Sequence, residues 1–202
     1  MHTFIVFEGC DGSGKSSVIK GIFKHLLSND ISATVLRDPG STNFNIHLRE
    51  LLFQHPDLTD YTKLLLFRAM REELVDKAIA PQLANGNVVL CDRYTLSTLV
   101  YQGVLGGLEW QIEQLEPSLE PDIIVLLDVS PEVAVERLSA RIGQNNFYDD
   151  VDLDTRRQMR AAYLHLASEN PDRYIVIDAN QPYDTVVSEI ITKLAFTGDA
   201  RA

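Results

Sequence analysis

Cysteine is scarce: Cys10 and Cys91 are the only two in 202 residues. Two thiols, one inside a Gly-rich stretch and one ending an apolar run, exclude a disulfide framework and suit a reducing compartment. Both read as small packing residues, Cys10 as filler in its loop rather than as a redox-sensitive thiol. Positive charge is in deficit too, with Lys+Arg 18 against Asp+Glu 29 and a formal net charge of −11. That balance argues against an electrostatic footprint on DNA or RNA, while leaving room for a small anion in a local positive pocket. No apolar run approaches the roughly 18 residues of a membrane span. Met1-His2-Thr3 passes directly into an apolar stretch without the basic and apolar build of a signal peptide. The expectation is a cytoplasmic protein with neither a membrane nor a nucleic acid as partner. No repeat, low-complexity tract or linker rich in Pro, Gly or Ser divides the chain. Residues 1–202 are therefore expected to form one domain whose core needs no metal or disulfide.

What the sequence does have is alternation. Short apolar runs at 4–7, 33–36, 88–91, 123–127 and 174–177 read as buried strands. Segments 15–28, 44–53, 59–85, 95 onward, 131–141, 153–169 and 183–194 have helical spacing or composition. This pattern predicts an α/β fold with a five-stranded, mostly parallel sheet flanked by helices on both faces. Ligands of such sheets bind beyond the carboxyl ends of the strands. Four strands end there in polar residues: Glu8-Gly9, Arg37-Asp38-Pro39-Gly40, Asp92-Arg93 and Asp128. The Asn-rich, acidic interval of about 142–152 reads as a short lid.

The most specific local feature is Gly9-Cys10-Asp11-Gly12-Ser13-Gly14-Lys15-Ser16, between the first strand and the first helix. In a GxxxxGK[ST] loop the glycines let backbone N–H groups approach phosphates, the lysine meets the β- and γ-phosphates, and the hydroxyl ligates Mg²⁺. The following helix N-terminus adds partial positive charge. Asp92-Arg93 ends another strand, and beside such a loop the acid is placed to hold Mg²⁺ and the guanidinium to grip phosphate. Arg37-Asp38-Pro39-Gly40 is by itself only a sharp turn. Phe67 and Arg71 share a helix face at i, i+4. Taken alone, they read more simply as a core ring beside a surface cation.

In order along nearly the whole chain, these residues resemble the thymidylate kinases, members of the P-loop nucleoside monophosphate kinases. The resemblance is carried by the loop Glu8 to Ser16, Arg37-Asp38-Pro39-Gly40, Phe67 with Arg71, Asp92-Arg93-Tyr94, Ser97, Tyr101-Gln102-Gly103, Asp128, Arg137 and Asp178-Ala179-Asn180-Gln181-Pro182. It implies an ATP-dependent, Mg²⁺-assisted transfer of phosphate to dTMP in nucleotide biosynthesis, by a homodimer. It further implies that Phe67 stacks on thymine, that Arg71 donates to its O4, and that Ser97 and Gln102 bond around the base. Asp11 meets the sugar 3′-hydroxyl, Arg37 and Arg93 hold the acceptor phosphate, and Tyr101 crowds the 2′ position. ATP is implied to lie on Gly9, Cys10, Asp11, Gly12, Ser13, Gly14, Lys15, Ser16 and Ser17, with Arg137, Gln181 and Pro182 about its adenine. Ser16 and Asp92 are the implied metal residues. Lys15, Arg93, Arg141 and Asp11 are the implied catalytic group. Two positions depart from the family pattern. Phe147 stands where the lid carries arginine, which leaves Arg141 as the nearest substitute and reads Arg156, Arg157 and Arg160 as a solvated helix face. Ser41 stands where a second glycine is usual in the turn. A kinase for dUMP or a 5-substituted dUMP, and a catalytically weak nucleotide-binding switch of the same fold, stay beside the leading reading.

Overall fold

The computed structural model describes residues 3–108, 112, 119–140 and 151–195. Five strands form one sheet in the order β2-β3-β1-β4-β5: β1 (Phe4–Glu8), β2 (Ala33–Arg37), β3 (Val88–Asp92), β4 (Ile123–Asp128) and β5 (Tyr174–Asp178). Every adjacent pair is parallel, where the sequence predicts a mostly parallel sheet. The central strands are apolar on both faces because helices cover both faces. Ile5, Phe7, Leu90, Val125 and Ile177 pack with Ile19, Ile22, Val186 and Ile190 on one side. Phe4, Val6, Val89, Cys91, Leu126, Leu74, Met159 and Tyr163 form the other core. The period-2 alternation of side chains thus feeds two cores from one strand.

Among the described residues the α-helices of four residues or more are α1 (Lys15–Ser28), α2 (Asn43–Gln54), α3 (Asp60–Leu74), α4 (Ala80–Ala84), α5 (Thr95–Thr98), α6 (Pro131–Ser139), α7 (Leu153–Glu169) and α8 (Tyr183–Leu194). Thr42, Thr59 and Asp152 cap α2, α3 and α7 by accepting a backbone N–H three residues on. The segment predicted as one helix over 59–85 is α3 and α4 joined by a π-helical turn, Val75–Ile79. Pro81 is the physical reason, since it has no N–H to donate and its ring crowds the carbonyl four residues back. A second π-helical turn, Leu99–Val104, extends α5. The interval of about 142–152 read as a lid lies largely outside the described residues, and Arg141 and Phe147 fall there.

Strand order brings the carboxyl ends of β1, β3 and β2 side by side. In register, Phe7 pairs with Asp92 and Arg37 with Asp92. Three of the four predicted polar strand ends therefore converge.

Candidate active site

The loop after β1 is shaped by positions that tolerate no side chain. A Cβ on Gly9 would lie 2.5 Å from the Leu127 carbonyl oxygen, and one on Gly12 would lie 2.5 Å from that of Ala134. Gly12 also has φ +88, a region that disfavours other residues. Lys15, first residue of α1, turns its Nζ onto Gly9 O (2.8 Å) and Cys10 O (3.0 Å). Burial, then the charge of Arg93, lowers its pKa from 10.5 to about 8, against the pull of Asp11, Asp92 and Glu8. Ser16 Oγ donates to Asp92 Oδ2 at 3.0 Å, so α1 and β3 meet through a hydroxyl and a carboxylate. Asp92 Oδ1 is buried and has no partner.

Arg93 follows at φ +71, a strained conformation for a side chain with a Cβ and one that clusters at functional sites. Its Nη2 donates to Asp11 Oδ1 at 2.5 Å, and its Nη1 reaches Ser97 Oγ at 3.0 Å and Gly9 O at 3.3 Å. Tyr101 donates to the other Asp11 oxygen at 2.9 Å and lies under the Arg93 guanidinium, 5.4 Å from it. Burial pushes the Asp11 carboxyl up, but Arg93, Lys15 and the hydrogen bonds from Tyr101 and Arg93 outweigh it, holding Asp11 well below the carboxylate range. Asp11 is therefore an anion bridging the phosphate loop and β3.

Behind this pair sits Glu8, fully buried at the end of β1. It accepts the N–H groups of Tyr94 (2.8 Å) and Ser97 (3.0 Å) and the Ser97 hydroxyl (2.6 Å). It thus satisfies the start of α5 as a capping side chain does and fixes the backbone that carries Arg93 and Ser97. Burial raises its pKa, with Arg93 opposing.

A pocket opens next to the loop, with an empty volume of about 990 Å³ counting its open mouth. Phe67, Arg71, Thr98 and Gln102 line one region, and Arg37, Arg49, Arg93 and Asp11 also border it. Arg71 is 4% exposed, so the surface-cation reading of the isolated Phe67 and Arg71 pair is corrected. Its Nε donates to Asp38 Oδ2 at 2.6 Å, and its Nη2 to Thr98 Oγ1 at 2.7 Å and Tyr94 O at 3.1 Å. The Nη1 donors remain for the pocket. Burial raises the Asp38 carboxyl, with Arg71 pulling it down. Arg37 is exposed but borders the same pocket. Ser41 takes the left-handed conformation a glycine would, at φ +65, and its hydroxyl accepts the Arg37 N–H at 2.9 Å.

Of the predicted acceptor-side residues, Asp11, Arg37, Phe67, Arg71, Arg93, Ser97, Tyr101 and Gln102 all line this pocket. Arg137, Gln181 and Pro182 do not; they stand on α6 and on the β5–α8 turn, tied together where Ser130 N donates to Asn180 Oδ1. The prediction of a solvated face for three arginines holds only for Arg157, which pairs at the surface with Glu132 and Asp154. Arg156 is 3% exposed and its Nε donates to Val151 O. Arg160 makes a bidentate pair with Asp128 at 2.6 and 2.8 Å and borders a small cavity shared with Gly9 and Cys10. Both project inward because positions 156, 159, 160 and 163 fall on the helix face over the sheet.

Sequence reasoning marked Glu8 and Asp38 as polar strand ends but not what they hold, and it missed Arg49. Arg49 carried no signal, because only the packing of α2 brings it to the pocket beside Arg37.

Comparison with known proteins agrees with this arrangement. A family model described as thymidylate kinase matches residues 7–190. Among similar curated proteins, one from Ligilactobacillus salivarius is 36% identical over 200 residues, covering 95% of this chain and 96% of its own. One from Dinoroseobacter shibae is 37% identical over 196 residues (94% and 95%), and one from Chlamydia caviae is 33% identical over 198 residues (94% and 95%). Each is named thymidylate kinase.

Proposed function

Because the chain belongs to the thymidylate kinase family, we propose that it transfers the γ-phosphate of ATP to dTMP, giving ADP and dTDP. The observation that carries this reading is the pocket in which an aromatic ring and a buried guanidinium, Phe67 and Arg71, are joined to Arg37, Arg49 and Arg93 and to the phosphate loop through Asp11. A ring for stacking, a fixed donor for a base carbonyl and cations for a phosphate are the chemistry that a pyrimidine monophosphate needs.

In this reading Phe67 stacks on thymine, and the Nη1 donors of Arg71 meet its carbonyl. Ser97 and Gln102 complete the base contacts, and Tyr101 crowds the 2′ position so that a deoxyribose fits better than a ribose. Asp11, ionised at neutral pH, accepts from the 3′-hydroxyl. Arg37, Arg49 and Arg93 hold the acceptor phosphate, itself the nucleophile, so no general base is needed. Catalysis rests on alignment and on neutralising charge on the transferring group. The loop from Gly9 through Ser17 holds the donor phosphates, with Lys15 turning from its own carbonyls to them. Arg137, Gln181 and Pro182 flank the adenine.

Magnesium fits the residues present: Ser16 Oγ and Asp92 are hydrogen-bonded neighbours, and the orphaned, buried Asp92 Oδ1 is a hard oxygen of the kind the ion prefers. When bound there, the ion would neutralise charge on the donor phosphates. Two arginines are assigned as sources of the remaining cation: Arg141, outside the described residues, and Arg160, beside Gly9 and Cys10. A cytoplasmic setting, one kinase domain with a short lid, and a homodimer are proposed on family resemblance. No described helix is long and apolar enough to cross a membrane.

Incubating the protein with ATP, Mg²⁺ and dTMP should yield dTDP and ADP in equal amounts, and Lys15→Ala should yield neither while keeping its circular dichroism. Transfer by Lys15→Ala at the wild-type rate would refute the assignment of this loop.

A further inference from the structure

Asn45, in the first turn of α2, does not line the dTMP pocket, yet it is fully buried. Its Nδ2 donates to two backbone carbonyls from separate elements: Gly40 O at 3.1 Å, in the turn that follows Arg37, and Met70 O at 2.9 Å, the residue before Arg71 on α3. Both partners are acceptors, so only the amide NH₂ can serve them and the orientation of the group follows from its neighbours. The remaining atom, Oδ1, is buried with no partner. An orphaned carbonyl is a stability cost. An apolar residue would avoid that cost, so the distinctive contribution of Asn45 is the connection it makes.

The connection joins the two parts of the pocket. The turn presents Arg37 and Asp38, while α3 presents Phe67 and Arg71. Asp38 already reaches across to Arg71 at 2.6 Å, and the Asn45 side chain adds a second tie beside it by bridging two backbone carbonyls. The turn is closed on itself by Ser41 Oγ, which accepts from Arg37 N, and the Asn45 backbone N–H is held by Thr42 Oγ1 at 3.1 Å. Ser41 and Asn45 together replace freedom in this turn with directed hydrogen bonds.

We propose that Asn45 is a positioning residue that locks the acceptor-phosphate turn to the base-reading helix, setting the distance at which one dTMP molecule can touch both. The proposal rests on the assignment of this pocket to dTMP. A registration error of an ångström between the two parts weakens binding and misaligns the acceptor phosphate, while the loop that holds ATP is untouched.

The test is steady-state kinetics and thermal melting of Asn45→Ala and Asn45→Ser, with Arg71→Ala as control. The lock predicts that KM for dTMP rises about tenfold and kcat falls, while KM for ATP stays within about twofold. Melting should shift by only a few degrees, because removal of the orphaned oxygen offsets part of the cost of taking this donor from Gly40 O and Met70 O. An unchanged KM for dTMP, or both KM values rising together with a large loss of melting temperature, overturns the proposal. Failure of both Asn45 variants to fold overturns it as well, by assigning the residue to stability alone. If Arg71→Ala leaves KM for dTMP unchanged, the pocket assignment itself fails. If Arg71→Ala raises it and the Asn45 variants do not, only the lock fails.

Discussion

Replacing Lys15 by Met should stabilise the protein at neutral pH while removing its activity. Lys15 is 7% exposed and carries its charge among loop carbonyls. Burial, then Arg93, lowers its pKa from 10.5 to about 8, which corresponds to about 3 kcal/mol at 1.36 kcal/mol per factor of ten. Methionine has similar length and no charge to bury. It forfeits the hydrogen bonds to Gly9 and Cys10, worth about 1 kcal/mol each net, leaving a gain of about 1 kcal/mol. For a chain of this size that is a rise of about 2–4 °C in melting temperature. The pH dependence has a definite sign. Below the folded-state pKa of about 8 the lysine is protonated in both states, and its cost is constant. Between about 8 and 10.5 the unfolded chain holds a proton that the folded protein has released, so wild-type stability rises with pH. Above that window the penalty is gone and the lost hydrogen bonds alone remain. Scanning calorimetry on both proteins should therefore show the variant melting higher at neutral pH, the difference closing above about pH 8 and reversing near about pH 9, where the wild type has regained about 1 kcal/mol. A wild type that melts higher at neutral pH, or a difference indifferent to pH, would refute the claim that the phosphate loop holds an energetically costly cation.

Arg71→Ala strips the counter-ion from Asp38 within a pair whose side chains are 5% and 1% exposed, and should cost about 3–5 kcal/mol in denaturant unfolding. Burial already raises the Asp38 carboxyl in the folded state; without Arg71 it rises further, so the deficit should shrink as pH falls and the buried acid takes up its proton. Gly12→Ala places a Cβ 2.5 Å from the Ala134 carbonyl oxygen at φ +88. It should lower the melting temperature and raise KM for ATP; retention of both would mean that the loop adapts to a side chain at this position.

The strands and the phosphate loop were legible in the sequence because their signals are local. Apolar runs of four or five residues, ended by Glu8, Asp92 or Asp128, can hardly be anything but buried parallel strands in this alternation. Interruption of the long helix was legible in principle, since Pro81 stands inside it. The standing of Arg71 was not, because burial of a guanidinium depends on Asp38, Tyr94 and Thr98, up to 33 residues away. Arg156 and Arg160 were misread for the same reason: a helix face dense in arginine looks solvated until the sheet and Asp128 are found beneath it. Asn45 carried no signal at all, as its two partners are backbone atoms.

The central claim is that this pocket selects a thymidine monophosphate and delivers its phosphate to the donor held by the loop. ADP release measured in parallel with dTMP, dUMP, dCMP, AMP and GMP, at saturating ATP and Mg²⁺, tests it most directly. The account predicts the highest kcat/KM for dTMP, with the purine monophosphates far behind. Turnover of AMP or GMP as efficient as that of dTMP would contradict it.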